Sequence, residues 1–181
     1  IKVDTKNTNN FLMNVDNEYF LTETNKENLL FVKKISKKLN LKRKSLIKTI
    51  QKFKGLKYRQ QIIFKKKYLT IINDSKSTSF SSSIGLLKTN YNIYWLLGGI
   101  YKKGDKLNLS KKYSNNIKAF IYGKNKKFFN KKLEGKINYK NFDNLKDAIK
   151  EIFKIVKKEK FKNKTILFSP CAASFDSFKN F

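Results

Sequence analysis

The sequence predicts an α/β fold built on an open, mostly parallel sheet with helices on both faces. Two observations predict it. Apolar runs at residues 92–97, 117–122 and 165–168 are nearly continuous, as strands covered on both faces must be. Between them stand stretches whose apolar residues recur at three- and four-residue spacing, so strands and amphipathic helices alternate along the chain.

Taken in order, residues 1–22 are polar and β-like, with alternation at 11–15 and again at 19–21. Thr24 and Glu27 then form a capping box that opens a helix carrying Leu29, Val32, Ile35 and Leu39 on one face. A second helix over 43–53 repeats the pattern with Leu46, Ile47, Ile50 and Phe53, and Gly55 ends it. Residues 61–64 and 69–72 are short β-rich runs around a lysine turn, followed by a helix at 80–89 and the strand 92–97, which ends in Gly98-Gly99. The strand 117–122 ends in Gly123, and a helix at 125–133 leads to a short strand at 136–139. Asp143 caps a long helix with Leu145, Ala148, Ile149, Ile152, Phe153 and Val156 on its buried stripe, and the strand 165–168 runs into Ser169-Pro170.

A chain of 181 residues suits one full domain plus a piece of another, and the absence of a methionine before Ile1 reads as a piece of a longer protein. With 40% hydrophobic and 14% aromatic residues it has material for a core despite a net charge of +29. That charge is a poor guide to partners. Only Arg43 and Arg59 are arginine, and the lysines are scattered over nearly every surface stretch, whereas sites that read phosphate or guanine favour the bidentate guanidinium fork. Affinity for nucleic acid is therefore expected to be weak, salt-sensitive and non-specific. A basic α/β nucleic-acid-binding module is the rival reading; against it, the aromatic residues occupy core-like positions and no RNP-type run occurs. Cys171 is the single cysteine, which excludes a disulfide framework and fits the reducing cytoplasm. The lack of histidine removes histidine metal sites and histidine bases, and no apolar run approaches the ~18–20 residues of a membrane span. The phosphate loop GxxxxGK[ST] is absent, as are GxGxxG, paired CxxC and HExxH motifs.

In an open parallel sheet the chemistry gathers where strands end. Three stretches fall there: 73–79, 98–105 and 169–181. The first, Asn73-Asp74-Ser75-Lys76-Ser77-Thr78-Ser79, leaves a strand and enters a helix, whose free N–H groups attract an anion. Thr78 adds a hydroxyl, Lys76 a charge, and Asp74 an acceptor for a ribose hydroxyl or metal-bound water; a plain serine-rich helix cap is the alternative. Gly98-Gly99 permits close backbone approach to a ligand with Lys102 at hand, or is simply a turn. Cys171 lacks a histidine to activate it and reads as a small packing residue.

Gly55-Leu56-Lys57-Tyr58-Arg59, NDSKSTS at 73–79, LLGG with its lysine at 96–102 and SPCAASFDSFKNF at 169–181 stand in the order and spacing of the Mur ligase family, and the NDSK run and FKNF ending resemble its D-glutamate-adding branch. Asn25 and Asn28 resemble the paired asparagines that close the family's central ATP-binding domain. The resemblance implies that residues 1–54 are the end of that central domain and 55–181 a Rossmann-like, substrate-closing carboxy-terminal domain without its last helix. It implies a cytoplasmic, monomeric, ATP- and Mg2+-dependent ligase that joins D-glutamate to UDP-N-acetylmuramoyl-L-alanine through an acyl phosphate, in the making of peptidoglycan precursors. It assigns Asn28, Arg59 and Asp74 to the nucleotide, Lys76 to the transferred phosphate as the catalytic group, and Thr78, Lys102, Ser174 and Phe181 to D-glutamate, with no metal ligand in this chain. A folylpolyglutamate synthase relative would share the domain plan but not the FKNF ending. The family's usual Pro-His-Arg is Lys57-Tyr58-Arg59 here, and without a phosphate loop the chain alone is expected to be inactive.

Overall fold

The computed structural model describes residues 17–159 and 162–173. The chain divides into two compact units, residues 1–55 and 56–181.

In the first unit a 3-10 turn, Glu18–Leu21, leads into α1, Glu23–Lys38, and α2, Arg43–Lys52. The turn replaces the β-like alternation expected at 19–21. Asn17 explains it: its side chain accepts the Tyr19 N–H and donates 2.8 Å bonds to the carbonyls of Ile50 and Phe53, curling the chain onto the end of α2. The alternation at 11–15 lies outside the described residues. The cap of α1 is Thr22 rather than Thr24, its hydroxyl accepting the Asn25 N–H at 3.4 Å. The buried stripe is also narrower than expected. Leu29 and Leu30 are buried, and Leu29 packs with Ile50, Phe20, Leu46 and Ile47, whereas Val32, Ile35 and Leu39 are exposed. The buried part of α1 thus packs on α2 and the 3-10 turn, which leave the rest of its apolar spacing exposed.

The second unit is a six-stranded sheet: β1 Gln61–Lys66, β2 Leu69–Asn73, β3 Ile93–Gly98, β4 Ile117–Tyr122, β5 Asn138–Phe142 and β6 Lys164–Phe168. Their order is β1-β2-β6-β3-β4-β5, antiparallel only in the β1–β2 hairpin. Helix α3, Phe80–Thr89, and helix α4, Lys126–Leu133, cover one face. There Phe80, Leu86, Leu87, Phe129 and Leu133 bury Ile93, Trp95, Leu97, Ala119 and Ile121. Helix α5, Leu145–Lys158, covers the other, where Ala148 and Ile152 pack on Tyr94, Leu96, Phe120 and Ile166. Alternate side chains of β3 and β4 thus enter two different cores, which is why these strands read as unbroken apolar runs.

Two boundaries differ from expectation. Strand β5 starts later than residue 136 because the amides of Lys136 and Ile137 donate to the Leu133 carbonyl, at 2.9 Å each, closing α4 first. The cap of α5 is Asn144, which accepts the Asp147 N–H at 2.9 Å; Asp143, expected there, is one residue too early and pairs with Lys126. On α5, Phe153 is exposed rather than buried, and Ile155 packs against the core instead.

β6 lies between β2 and β3. The chain leaves β2 through α3 on one face and returns to β6 through α5 on the other, so the carboxyl ends of β2, β6 and β3 form the reversal crevice of a doubly wound sheet.

Candidate functional site

Of the three strand-end segments singled out in the sequence, residues 73–79, 98–105 and the described part of the third, 169–173, meet at this crevice and are tied together pairwise. Asp74 donates its N–H to the Phe168 carbonyl at 2.8 Å, and the Ser169 hydroxyl donates to Asp74 Oδ2 at 2.7 Å, joining the first segment to the third. Ile100 and Ala173 exchange backbone bonds of 2.7 and 3.1 Å, and the Gly98 N–H donates to the Pro170 carbonyl, joining the second to the third. Asp105 accepts the free Phe80 N–H at the start of α3 at 2.7 Å, joining the second to the first. Residues 56–60 add a fourth piece, a turn bridged between Leu56 and Arg59, whose Tyr58 carbonyl accepts the Lys76 N–H and whose Gln60 N–H donates to Asp74 Oδ1.

This frame imposes unusual backbone. Tyr58, Gln60 and Cys171 have φ of +65°, +50° and +57°, a left-handed conformation that non-glycine residues adopt only where their surroundings over-determine it. At Gly99, with φ +123°, a Cβ would lie 2.5 Å from the Ala173 carbonyl oxygen, so only glycine lets the second and third segments pair.

Behind the segments lies a buried polar cluster. Ser77, Ser83, Ser169 and Asp74 are each no more than 5% exposed. The hydroxyls of Ser77 and Ser83 are 2.8 Å apart, those of Ser83 and Ser169 2.5 Å, and Cys171 Sγ is 2.9 Å from Ser83. Trp95 Nε1 donates to the Ser169 carbonyl at 2.8 Å. Burial pushes the Asp74 carboxyl up to about 6, opposed by the bonds from Ser169 and Gln60 and by the positive charge of Arg59. Burial likewise pushes the Cys171 thiol up to about 12, against the bonds to Ser83 and Ser77, and the carboxylates of Asp74 and Asp105 reinforce it.

Of the site residues expected from the sequence, Arg59, Lys76, Thr78 and Lys102 are exposed and stand on the turn and the two segments this frame holds. Asp74 is at its centre, buried, with both carboxylate oxygens accepting protein hydrogen bonds. Asn28 is exposed on α1 of the first unit, where Asn25 is buried and donates to the Tyr19 carbonyl. Ser174 and Phe181 lie outside the described residues. The rim therefore presents three cations and a hydroxyl over a neutral-to-anionic buried frame, an arrangement suited to carboxylate or phosphate groups. The residues that sequence reasoning missed are those that build the frame: Gln60, Ser83 and Asp105. The only signal for Ser83 was a serine in a helix otherwise burying Phe80, Leu86 and Leu87.

No family model matches the chain. It is 36% identical over 158 residues to the UDP-N-acetylmuramoylalanine–D-glutamate ligase of Wolbachia sp. subsp. Brugia malayi, a match covering 87% of this chain and 32% of that protein. With the enzyme of the same name from Francisella tularensis subsp. novicida it shares 33% over 174 residues, 94% of this chain and 41% of that protein. The chain thus spans 32% to 41% of the length of these curated relatives. In structure it resembles MurF of Acinetobacter baumannii, with a TM-score of 0.60 and 17% identity over 87% of this chain and 36% of that one, a likeness of fold. Over 87% to 94% of its length the chain is similar in sequence to UDP-N-acetylmuramoylalanine–D-glutamate ligases, and its fold is that of a Mur ligase.

Proposed function

We propose that this chain is the part of a cytoplasmic UDP-N-acetylmuramoyl-L-alanine:D-glutamate ligase that receives D-glutamate and closes over the nucleotide. What carries this reading is the joining of the NDSKSTS, LLGG and SPCAA segments into one frame, in a chain that matches D-glutamate ligases over 87% of its length. Thr78 and Lys102 stand on segments linked through Asp105 and Phe80, so a hydroxyl and an ammonium can meet one carboxylate of D-glutamate. Ser174 and Phe181 are assigned to its other carboxylate by the family resemblance.

Arg59 and Lys76 fit a nucleotide's phosphates. Both are exposed cations, and the Lys76 N–H to Tyr58 carbonyl bond holds their two segments side by side. Lys76 is assigned to the transferred phosphate and Asn28 to the adenine. A ribose contact by Asp74 would use lone pairs left over from Gln60 and Ser169, since a carboxylate offers about four acceptor positions. ATP supplies the activation of the substrate carboxylate when bound; these residues bind, orient and exclude water. Among the described residues no group of three or more His, Cys, Asp or Glu could hold a metal ion, and none is long and apolar enough as a helix to cross a membrane. Mg2+ enters this reading with the nucleotide.

The test is kinetic, in a chimera where this chain replaces the matching part of a curated relative. A hydrogen bond to a charged group is worth roughly 1.5–3 kcal/mol. Thr78→Ala and Lys102→Ala should each weaken use of D-glutamate by about 10- to 100-fold while the KM for ATP moves little. Variants that chiefly raise the ATP constant and leave D-glutamate use intact would overturn the assignment of these two residues.

A further inference from the structure

Ionised Asp74 fixes the direction of the hydrogen bonds nearest to it in the serine cluster. Ser169 gives its proton to Asp74 Oδ2, so in its 2.5 Å contact with Ser83 it can only accept. Ser83 then has no proton left for Ser77 or for Cys171, so each can bond to it only as a donor, in preference to the Ser79 and Ser169 carbonyls that lie 3.4 Å from them; the thiol can, because burial keeps it protonated. Ser82 ends the line, 2.7 Å from the Ser77 hydroxyl and 2.6 Å from the Ser79 carbonyl. The line runs from the segment holding Thr78, through α3, to the segment 169–173, and terminates on the carboxylate. The other charged or titratable groups near it are Arg59 from the 56–60 turn, Asp105 from the 98–105 segment and Cys171 itself.

We propose that Ser83 is a positioning residue for the site: its hydroxyl accepts from Ser77 and Cys171 and donates to Ser169, locking the Thr78 segment to the Ser169–Ala173 segment in one fixed register. Ser83 is fully buried and its partners lie six, 86 and 88 residues away in sequence, so no local turn explains its hydroxyl. An alanine there would take away the donor to the Ser169 oxygen and the acceptor shared by Ser77 and Cys171, leaving Ser169 only its bond to Asp74 and Ser77 only its Ser82 and Ser79 partners. The functional consequence rests on the ligand reading above; the hydrogen-bond line does not, and its test needs neither nucleotide nor amino acid.

The experiment uses the 181-residue chain with carboxyl-labelled aspartate and follows Asp74 by carbon NMR against pH. Ser169→Ala should raise its midpoint most, by about one unit, because it removes the direct donor. Ser83→Val should raise it by about 0.1–0.3 unit, as a bond that polarises its neighbour does, and Ser77→Ala by less. Ser83→Thr, with the same shape as valine but a hydroxyl, should return the midpoint to the native value. The lone thiol gives a second reading: Cys171 should react with a neutral aromatic disulfide at least about tenfold faster in Ser83→Val than in Ser83→Thr. A Ser83→Val chain with native midpoint and native thiol protection, or a Thr variant indistinguishable from Val, would overturn the proposal. Failure of the kinetic test on Thr78 and Lys102 would leave these results unchanged, so the two readings fail separately.

Discussion

Replacing Trp95 by alanine should destabilise the second unit by about 3–5 kcal/mol, the usual range for deleting a fully buried large aromatic side chain. Trp95 is 0% exposed in the middle of β3, paired in register with Ala119 on one side and Leu167 on the other. Its ring meets Phe80 edge-on at 6.1 Å, and its Nε1 holds the Ser169 carbonyl. Trp95→Phe refills much of the volume but removes that carbonyl's strong donor, leaving it the 3.4 Å contact from the Cys171 thiol, so it should cost less, roughly 1–3 kcal/mol. Urea unfolding followed by far-ultraviolet circular dichroism separates the two. A loss below about 1 kcal/mol in Trp95→Ala would contradict the packing described for this face.

Gly99→Ala should cost more than about 2 kcal/mol, against about 1 kcal/mol for Gly104→Ala. Both glycines have positive φ, +123° and +83°, so both substitutions carry backbone strain. They differ in what a Cβ would meet. Nothing lies within 4 Å at Gly104, whereas at Gly99 the obstacle is the Ala173 carbonyl oxygen, a backbone atom that cannot swing aside. To relieve it the Ile100–Ala173 pairing must open, which leaves the Gly98 N–H to Pro170 carbonyl bond between the second and third strand-end segments. Hydrogen exchange at the Ile100 and Ala173 amides should therefore quicken in Gly99→Ala and stay native in Gly104→Ala. Equal losses in both variants would show that the segments do not depend on this close approach.

The strands and the segments at their ends were legible in the sequence because their causes are local. β3, β4 and β6 are buried on both faces, so their apolar runs are unbroken, and small or polar residues follow each of them. The helix faces were less legible. Val32, Ile35 and Leu39 have helical spacing, but spacing says which residues share a face, not whether anything covers it. Asp143 and Asn144 are both good caps, and only the reach from Asn144 to the Asp147 N–H decides between them. The frame of the site was least legible. Ser83 and Ser169 are 86 residues apart and meet because β6 inserts between β2 and β3, a strand order that no residue pattern prints. Asp105 likewise serves a helix that begins 25 residues earlier.

The most direct measurement of the central claim is the amino-acid selectivity of the chimera described above. Amide formation with UDP-N-acetylmuramoyl-L-alanine and ATP should proceed with D-glutamate and be at least about 100-fold slower with L-alanine, since a pocket that pairs its donors with two carboxylates leaves them unpaired around a smaller substrate. Ligation of L-alanine at a rate equal to or above that of D-glutamate would contradict the account.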